Sequence, residues 1–239
     1  MAQNERKSTV KTPKQPKPRK TVSSGDMFLH KLQMGFEKNQ KAIVGTIAVV
    51  AIAVGGYFGY KYFIQAPKEE KAATALSYAQ QWFEVDSFNY VLNGNGLNSG
   101  ALDVIKKYDG TKSGNLAHYY AGVSYLNTHD FKNAIQQLSK FDGEGTPVQY
   151  LAYGALGDAY MESKDVEKGI EFYKKAASDT KNKFIAPLYL FRAGLACELN
   201  GKKDEAKKLY KQIKDNYPYS QQGQEIDKYL ARVGDVSLN

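Results

Sequence analysis

AGVSY at residues 121–125, LGDAY at 156–160 and AGLAC at 193–197 are three versions of one pentapeptide, and their surroundings repeat with them. Counting from the shared Gly122, Gly157 and Gly194, a small residue returns twelve positions on, as Ala134, Gly169 and Ala206. Four further on stand Leu138, Tyr173 and Tyr210, and three beyond those Phe141, Ala176 and Ile213. Within each unit lies a short polar stretch at 127–130, 162–165 or 200–203; Asn200-Gly201 is the plainest helix stop among them. The spacings of 35 and 37 residues give each unit room for two helices and a turn. Such a unit cannot bury its apolar face alone and must stack on its neighbours.

This pattern resembles the tetratricopeptide repeat: L-G-x-x-Y on a first helix, A-x-x-x-Y-x-x-A on a second, and a closing proline, here Pro218. The resemblance implies an all-α solenoid in which small residues let the paired helices approach and large ones plug the gap between units. Three repeats are expected at about 115–149, 150–186 and 187–219. Residues 67–84 and 101–108 read as a helix and a shorter partner, separated by the glycine- and asparagine-rich stretch 93–100. Together they suggest a degenerate opening repeat at 67–110. Ser220 is a good N-cap for a last helix, 220–233, that closes the stack.

The resemblance also implies that the first helix of each repeat lines a concave surface. Leu116, Tyr119, Val123 and Leu126 would come from the first repeat. The second would supply Leu151, Asp158, Met161 and Glu162, and the third Leu188, Phe191, Leu195 and Leu199. That set is more apolar than solvent exposure favours. Either a partner segment occupies the groove or a flanking helix closes it. The Lys/Asn set of the carboxylate clamp that grips chaperone C-termini is missing.

Upstream, AIVGTIAVVAIAVGGYFGY at 42–60 is nineteen residues without a charge and without a polar face. At about 1.5 Å per residue it nearly crosses a hydrocarbon core of roughly 30 Å. With Lys61 snorkelling, the span extends to 42–64, and Tyr57, Tyr60 and Tyr62 form an aromatic belt at one end. The run starts too late and lasts too long for a cleaved signal, and no small-x-small site follows it. Before it, Phe28, Leu32 and Phe36 recur at helical spacing in an amphipathic segment, 26–41, suited to a membrane surface. Residues 1–25, with three prolines and scattered lysines, read as a disordered basic tail.

The formal net charge of +8 belongs almost entirely to this N-terminal part: the first 41 residues hold ten basic and three acidic side chains, and everything after Lys61 balances. A basic stripe on a folded surface, which nucleic-acid recognition wants, is therefore not expected. The same asymmetry keeps the N-terminus cytoplasmic and puts residues 67–239 on the far side of the membrane. A mean hydropathy of −0.53 excludes a polytopic membrane protein.

Catalytic chemistry has no foothold in the sequence. The three histidines are scattered: His30 precedes the span, His118 fills a packing position of the repeat, and His129 falls in a turn. Cys197, the single cysteine, sits at a packing position and reads as a small hydrophobe. No hydrolase, zinc-protease or phosphate-loop motif occurs. Catalytic, cofactor and metal sites are accordingly expected to be absent.

The order of parts, with FEKNQKAIVG at 36–45 leading into the span and alanine-rich helices and repeats beyond it, resembles the YfgM-like ancillary subunits of the Sec translocon. That resemblance implies a bitopic inner-membrane protein beside SecYEG. Its partners would be a PpiD-like periplasmic chaperone with a prolyl-isomerase-like domain, newly translocated polypeptide and the lipid bilayer. A generic anchored scaffold for envelope assembly or cell division, without translocon contact, is the alternative.

Overall fold

The computed structural model describes residues 24–235; the expected tail at 1–25 lies almost wholly outside them, as do the side chains of Leu32 and Phe36. The chain divides into two compact units, Met1–Phe58 and Gly59–Asn239. Helix α1 (Ser24–Tyr60) carries the expected amphipathic segment and most of the apolar run without interruption. No proline or glycine at 37–44 asks for a break between them. Its large apolar side chains stand in the open, Ile52 at 75% and Val49 at 68% exposure, as do Phe28, Tyr57 and Tyr60. Asn39–Glu84, followed through α1 and beyond, is the one described helical stretch long and apolar enough to cross a membrane, and none of its apolar window is buried.

The second unit opens with a π-helical turn, Lys61–Gln65, that leads into α2 (Ala66–Glu84). The amide of Ala66 donates to the carbonyl of Lys61, five residues back. Pro67 supplies the reason. Its ring crowds the carbonyl four residues earlier and it has no amide to donate, so a wider turn relieves both problems. Next come α3 (Phe88–Asn93), α4 (Ala101–Lys107), α5 (Lys112–Asn127), α6 (Phe131–Leu138), α7 (Pro147–Glu162), α8 (Val166–Ala176), α9 (Ile185–Leu199), α10 (Lys203–Asn216) and α11 (Gln221–Arg232). No strand occurs among the described residues.

Helices α5/α6, α7/α8 and α9/α10 form three hairpins, and the repeated glycines explain their closeness. A Cβ on Gly122 would stand 2.5 Å from Leu138 Cγ, one on Gly157 2.4 Å from Tyr173 Cδ1, and one on Gly194 2.3 Å from Tyr210 Cε1. The residue sixteen positions after each glycine thus lies directly over it. Each hairpin turn has the same geometry. His129, Lys164 and Gly201 take positive φ (63°, 67° and 76°). The amide that follows each one bonds back to Tyr125, Tyr160 or Cys197 at 2.8–2.9 Å. Asp130 and Asp165 then cap α6 and α8 through Asn133 N and Lys168 N.

At the front of the unit, α3 is a helix that the sequence patterning left unassigned. It is only six residues long, below the length at which periodicity shows. With α2 and α4 it packs on α5 around Leu76, Val91, Val104 and Ala117. Glu69, in the first turn of α2, accepts from Lys112 N (2.6 Å) and from Ser113 N (2.9 Å) and Oγ (2.6 Å), and so closes the N-terminus of α5. Burial works against the Glu69 carboxylate, but these hydrogen bonds outweigh it and hold its pKa below the ordinary value. At the far end α11 lies against α9 and α10, with Ile226 and Leu230 buried and Ser220 capping at Gly223 N (3.0 Å).

Candidate functional site

A groove of about 560 Å³ opens where the C-terminal turns of α5, α7 and α9 come together. Leu126 and Asn127 line it from α5, Asp158, Met161 and Glu162 from α7, and Arg192, Leu195 and Leu199 from α9. These turns end in line because the hairpins stack in register. His129 of the turn and Phe131, the first residue of α6, meet edge to face and close the side next to α5.

Across the groove floor runs one polar constellation. Asp158 accepts from Tyr173 Oη of α8 (2.6 Å), and both its oxygens accept from Arg192 Nη1 of α9 (2.7 and 2.8 Å). Tyr173 stacks on Tyr189, and the Arg192 guanidinium lies over the Tyr189 ring. Burial and the Asp158 charge push the Tyr173 hydroxyl far above the ordinary phenol range, so it remains a donor. Burial likewise pushes Tyr189 up to about 12. For Arg192 burial pulls the other way, but Asp158 prevails and keeps the guanidinium firmly charged. The arrangement ties the second repeat to the third and leaves a half-exposed cation at the base of an apolar trough.

The same logic recurs one step on. Glu198 of α9 accepts from Tyr210 Oη of α10 (3.0 Å) and pairs with Arg232 of α11 (2.9 Å). A carboxylate on a first helix, a buried tyrosine on its partner and an arginine from the next first helix make each joint. The joint after the first repeat lacks this device, since Leu138 stands where Tyr173 and Tyr210 do.

Six of the twelve groove residues expected from the sequence line this trough: Leu126, Asp158, Met161, Glu162, Leu195 and Leu199. The other six do not: Leu116 and Leu188 pack into the apolar clusters of the first and last repeats, Leu151 lies outside the trough, and three aromatic or branched residues engage neighbours. Tyr119 packs against Phe141 and Tyr120, and Val123 joins the apolar cluster that seals the first repeat to the second. Phe191 meets Tyr229 of α11 edge to face at 4.7 Å and lies 6.2 Å from Tyr210. At that position the flanking helix closes the surface. Sequence reasoning missed Arg192, Tyr173 as a groove residue, His129 and Phe131. One signal was available: Asp158 occupies the position held by Val123 and Leu195 in the other units, and a lone carboxylate in an apolar series needs a partner.

His118 is half-buried and hydrogen-bonded to Gln137 Oε1 (2.7 Å), a helix-to-helix tie within the first repeat. Cys197 is fully buried, and burial with the nearby Glu205 carboxylate pushes its thiol up to about 11, far from a nucleophile's range.

The sequence signature of the family described as the tetratricopeptide repeat-like domain matches residues 36–231, apolar helix and repeats together. No curated protein matches the chain. Three helical hairpins stacked over repeated glycines, a closing helix and a signature covering most of the length agree: the chain belongs to the tetratricopeptide repeat-like domain family.

Proposed function

We propose that the chain is a non-catalytic, membrane-anchored scaffold at the Sec translocon. Its groove takes a segment of a periplasmic chaperone of the prolyl-isomerase type, or of a newly translocated polypeptide. One observation carries the reading: a single chain joins an apolar helix with no protein around it to a repeat unit with an open trough. Tethering raises the concentration of the trough next to whatever the anchor stands beside, without any new contact. The basic N-terminal part keeps that end in the cytoplasm and places the repeats in the periplasm. The translocon assignment rests on the resemblance around residues 36–45 to YfgM-like Sec subunits.

The trough suits an extended segment. Met161, Leu195 and Leu199 supply apolar walls, Met161 being the most adaptable of them. Arg192, Glu162 and Asn127 offer hydrogen bonds for backbone or polar side chains. Purification of the full-length protein in a mild detergent, followed by mass spectrometry, tests the proposal. SecYEG subunits and a membrane-anchored periplasmic chaperone should co-purify. Recovery of intact protein with neither would overturn the translocon assignment.

A further inference from the structure

Among the described residues outside the first 65, four large apolar side chains are more than four-fifths exposed, and three of them belong to one edge of the solenoid: Leu97 (93%), Phe184 (86%) and Tyr219 (94%). This edge is built from the connections that lead from one hairpin to the next, and Leu97, in the loop between α3 and α4, reaches it by lining one cleft with Pro67 and Tyr108. Its continuity is visible in the hydrogen bonds on either side of a cleft that Phe141, Asp142 and Ser178 share. Lys68 of α2 donates to Asp109 O between α4 and α5, and Asn115 exchanges bonds with Asp142 between α6 and α7. Tyr217, between α10 and α11, donates to Thr180 O between α8 and α9 (3.0 Å). The exposed residues are displayed on fixed backbone. Asn95 Oδ1 accepts from Leu97 N and Asn98 N, with Gly94 and Gly96 at positive φ on either side. Asn182 Oδ1 accepts from Phe184 N and Ile185 N.

We propose that this edge rests on the anionic headgroup surface of the same bilayer that holds the anchor; the inference depends on the anchor reading above. Continuity with the membrane-crossing helix identifies the occupant. The edge begins at Lys68 and Glu69 in the first turn of α2, just past the exposed Phe63 and Ile64 at the end of the apolar run. At about 1.5 Å per residue Lys68 stands about 6 Å beyond Ile64. A headgroup layer is roughly 5–8 Å deep. Charge agrees with this placement. The connection nearest the anchor presents Lys68, Lys106, Lys107 and Lys112 against Glu69 and Asp109, and the third connection Lys181 and Lys183 against Asp179. The second, with Lys140 against Asp142 and Glu144, does not share the excess. Phe184 and Tyr219 line a groove of about 610 Å³ together with Leu188, Pro218 and Lys183. Aromatic and basic side chains together are the composition of a membrane interface.

Full-length protein in vesicles tests this, using phosphatidylcholine alone or with phosphatidylglycerol. Single cysteines replace Leu97, Phe184, Tyr219, Leu199 or Ile52 in a Cys197→Ala background, and each carries an environment-sensitive dye. Circular dichroism checks each fold; lipids with a headgroup-level spin label quench dyes at the edge, and lipids spin-labelled deep in the acyl chain quench the dye at Ile52→Cys. Dyes at Leu97→Cys, Phe184→Cys and Tyr219→Cys should be quenched about twice as strongly as at Leu199→Cys on the opposite edge, and only with the anionic lipid. Charge reversal in Lys106→Glu, Lys107→Glu, Lys112→Glu should abolish the excess. Quenching at Ile52→Cys without excess at the edge, or with excess at Leu97→Cys alone, overturns the proposal and leaves the anchor standing. No quenching at Ile52→Cys removes the anchor itself.

Discussion

Replacing Gly157 with alanine separates two ideas about why the repeat glycine is there. Helix propensity alone favours Ala by about 1 kcal/mol in a helix interior. The structure predicts the opposite sign. A Cβ on Gly157 would lie 2.4 Å from Tyr173 Cδ1 and 2.6 Å from Cε1, so the ring must move by about 1 Å to reach ordinary contact distance. It is not free to do so, because Tyr189 stacks on it and its hydroxyl is bonded to Asp158 at 2.6 Å. Overpacking of a well-ordered core costs about 1–3 kcal/mol, and a ring held on two sides puts the cost at about 2–3, which leaves Gly157→Ala destabilised by roughly 1–2 kcal/mol after the propensity gain. For a unit of this size that is a fall in Tm of about 2–8 °C. Thermal unfolding of the full-length protein in detergent, followed by far-ultraviolet circular dichroism, measures it. A Tm at or above wild type would refute the packing argument.

The left-handed turn residue Lys164 bonds through its amide to Met161 O (3.0 Å), but its exposed side chain makes no hydrogen bond or ion pair among the described residues, so Lys164→Gly should relieve backbone strain. It should stabilise the fold by about 0.5–1 kcal/mol, read as a rise in Tm, as Gly201 already provides in the third turn. Glu69→Ala should remove the cap on α5 at a cost of about 1 kcal/mol at neutral pH. Because the folded carboxyl titrates below its ordinary 4.5, its stabilisation is present above that value and is lost as pH falls through the folded pKa. Wild type and Glu69→Ala should therefore converge in Tm in acid. At the other extreme, Tyr189 is raised from 10 to about 12, so its share of stability is complete below 10 and vanishes as pH climbs toward 12. Spectrophotometric titration should show phenols that ionise only as the helices melt.

The repeat was legible because its signals are local. Gly122, Gly157 and Gly194 mark close helix approach wherever they recur, and Asn200-Gly201 spells out a left-handed turn. His129 and Lys164 occupy the same backbone position with no such spelling, since hydrogen bonding around the turn imposes the conformation. Helix α3 was hidden because six residues hold under two helical turns. The groove was partly legible for a different reason. Helix register assigns a face, which was enough for Asp158, Met161 and Leu195. It does not say which neighbour covers that face, and α11 takes Phe191 out of the trough while Phe141 engages Tyr119. Arg192 escaped notice because its role exists only across the joint between two repeats, where it meets Asp158.

The central claim is that the trough between the first helices grips polypeptide on the far side of the membrane. Photocrosslinking in intact spheroplasts tests it most directly, with a photoreactive residue at Met161 or Leu199 inside the trough and at Glu171 on the outer helices. The account predicts protein adducts from Met161 and Leu199 and none from Glu171. Adducts of equal yield at all three positions, or at Glu171 alone, would contradict it.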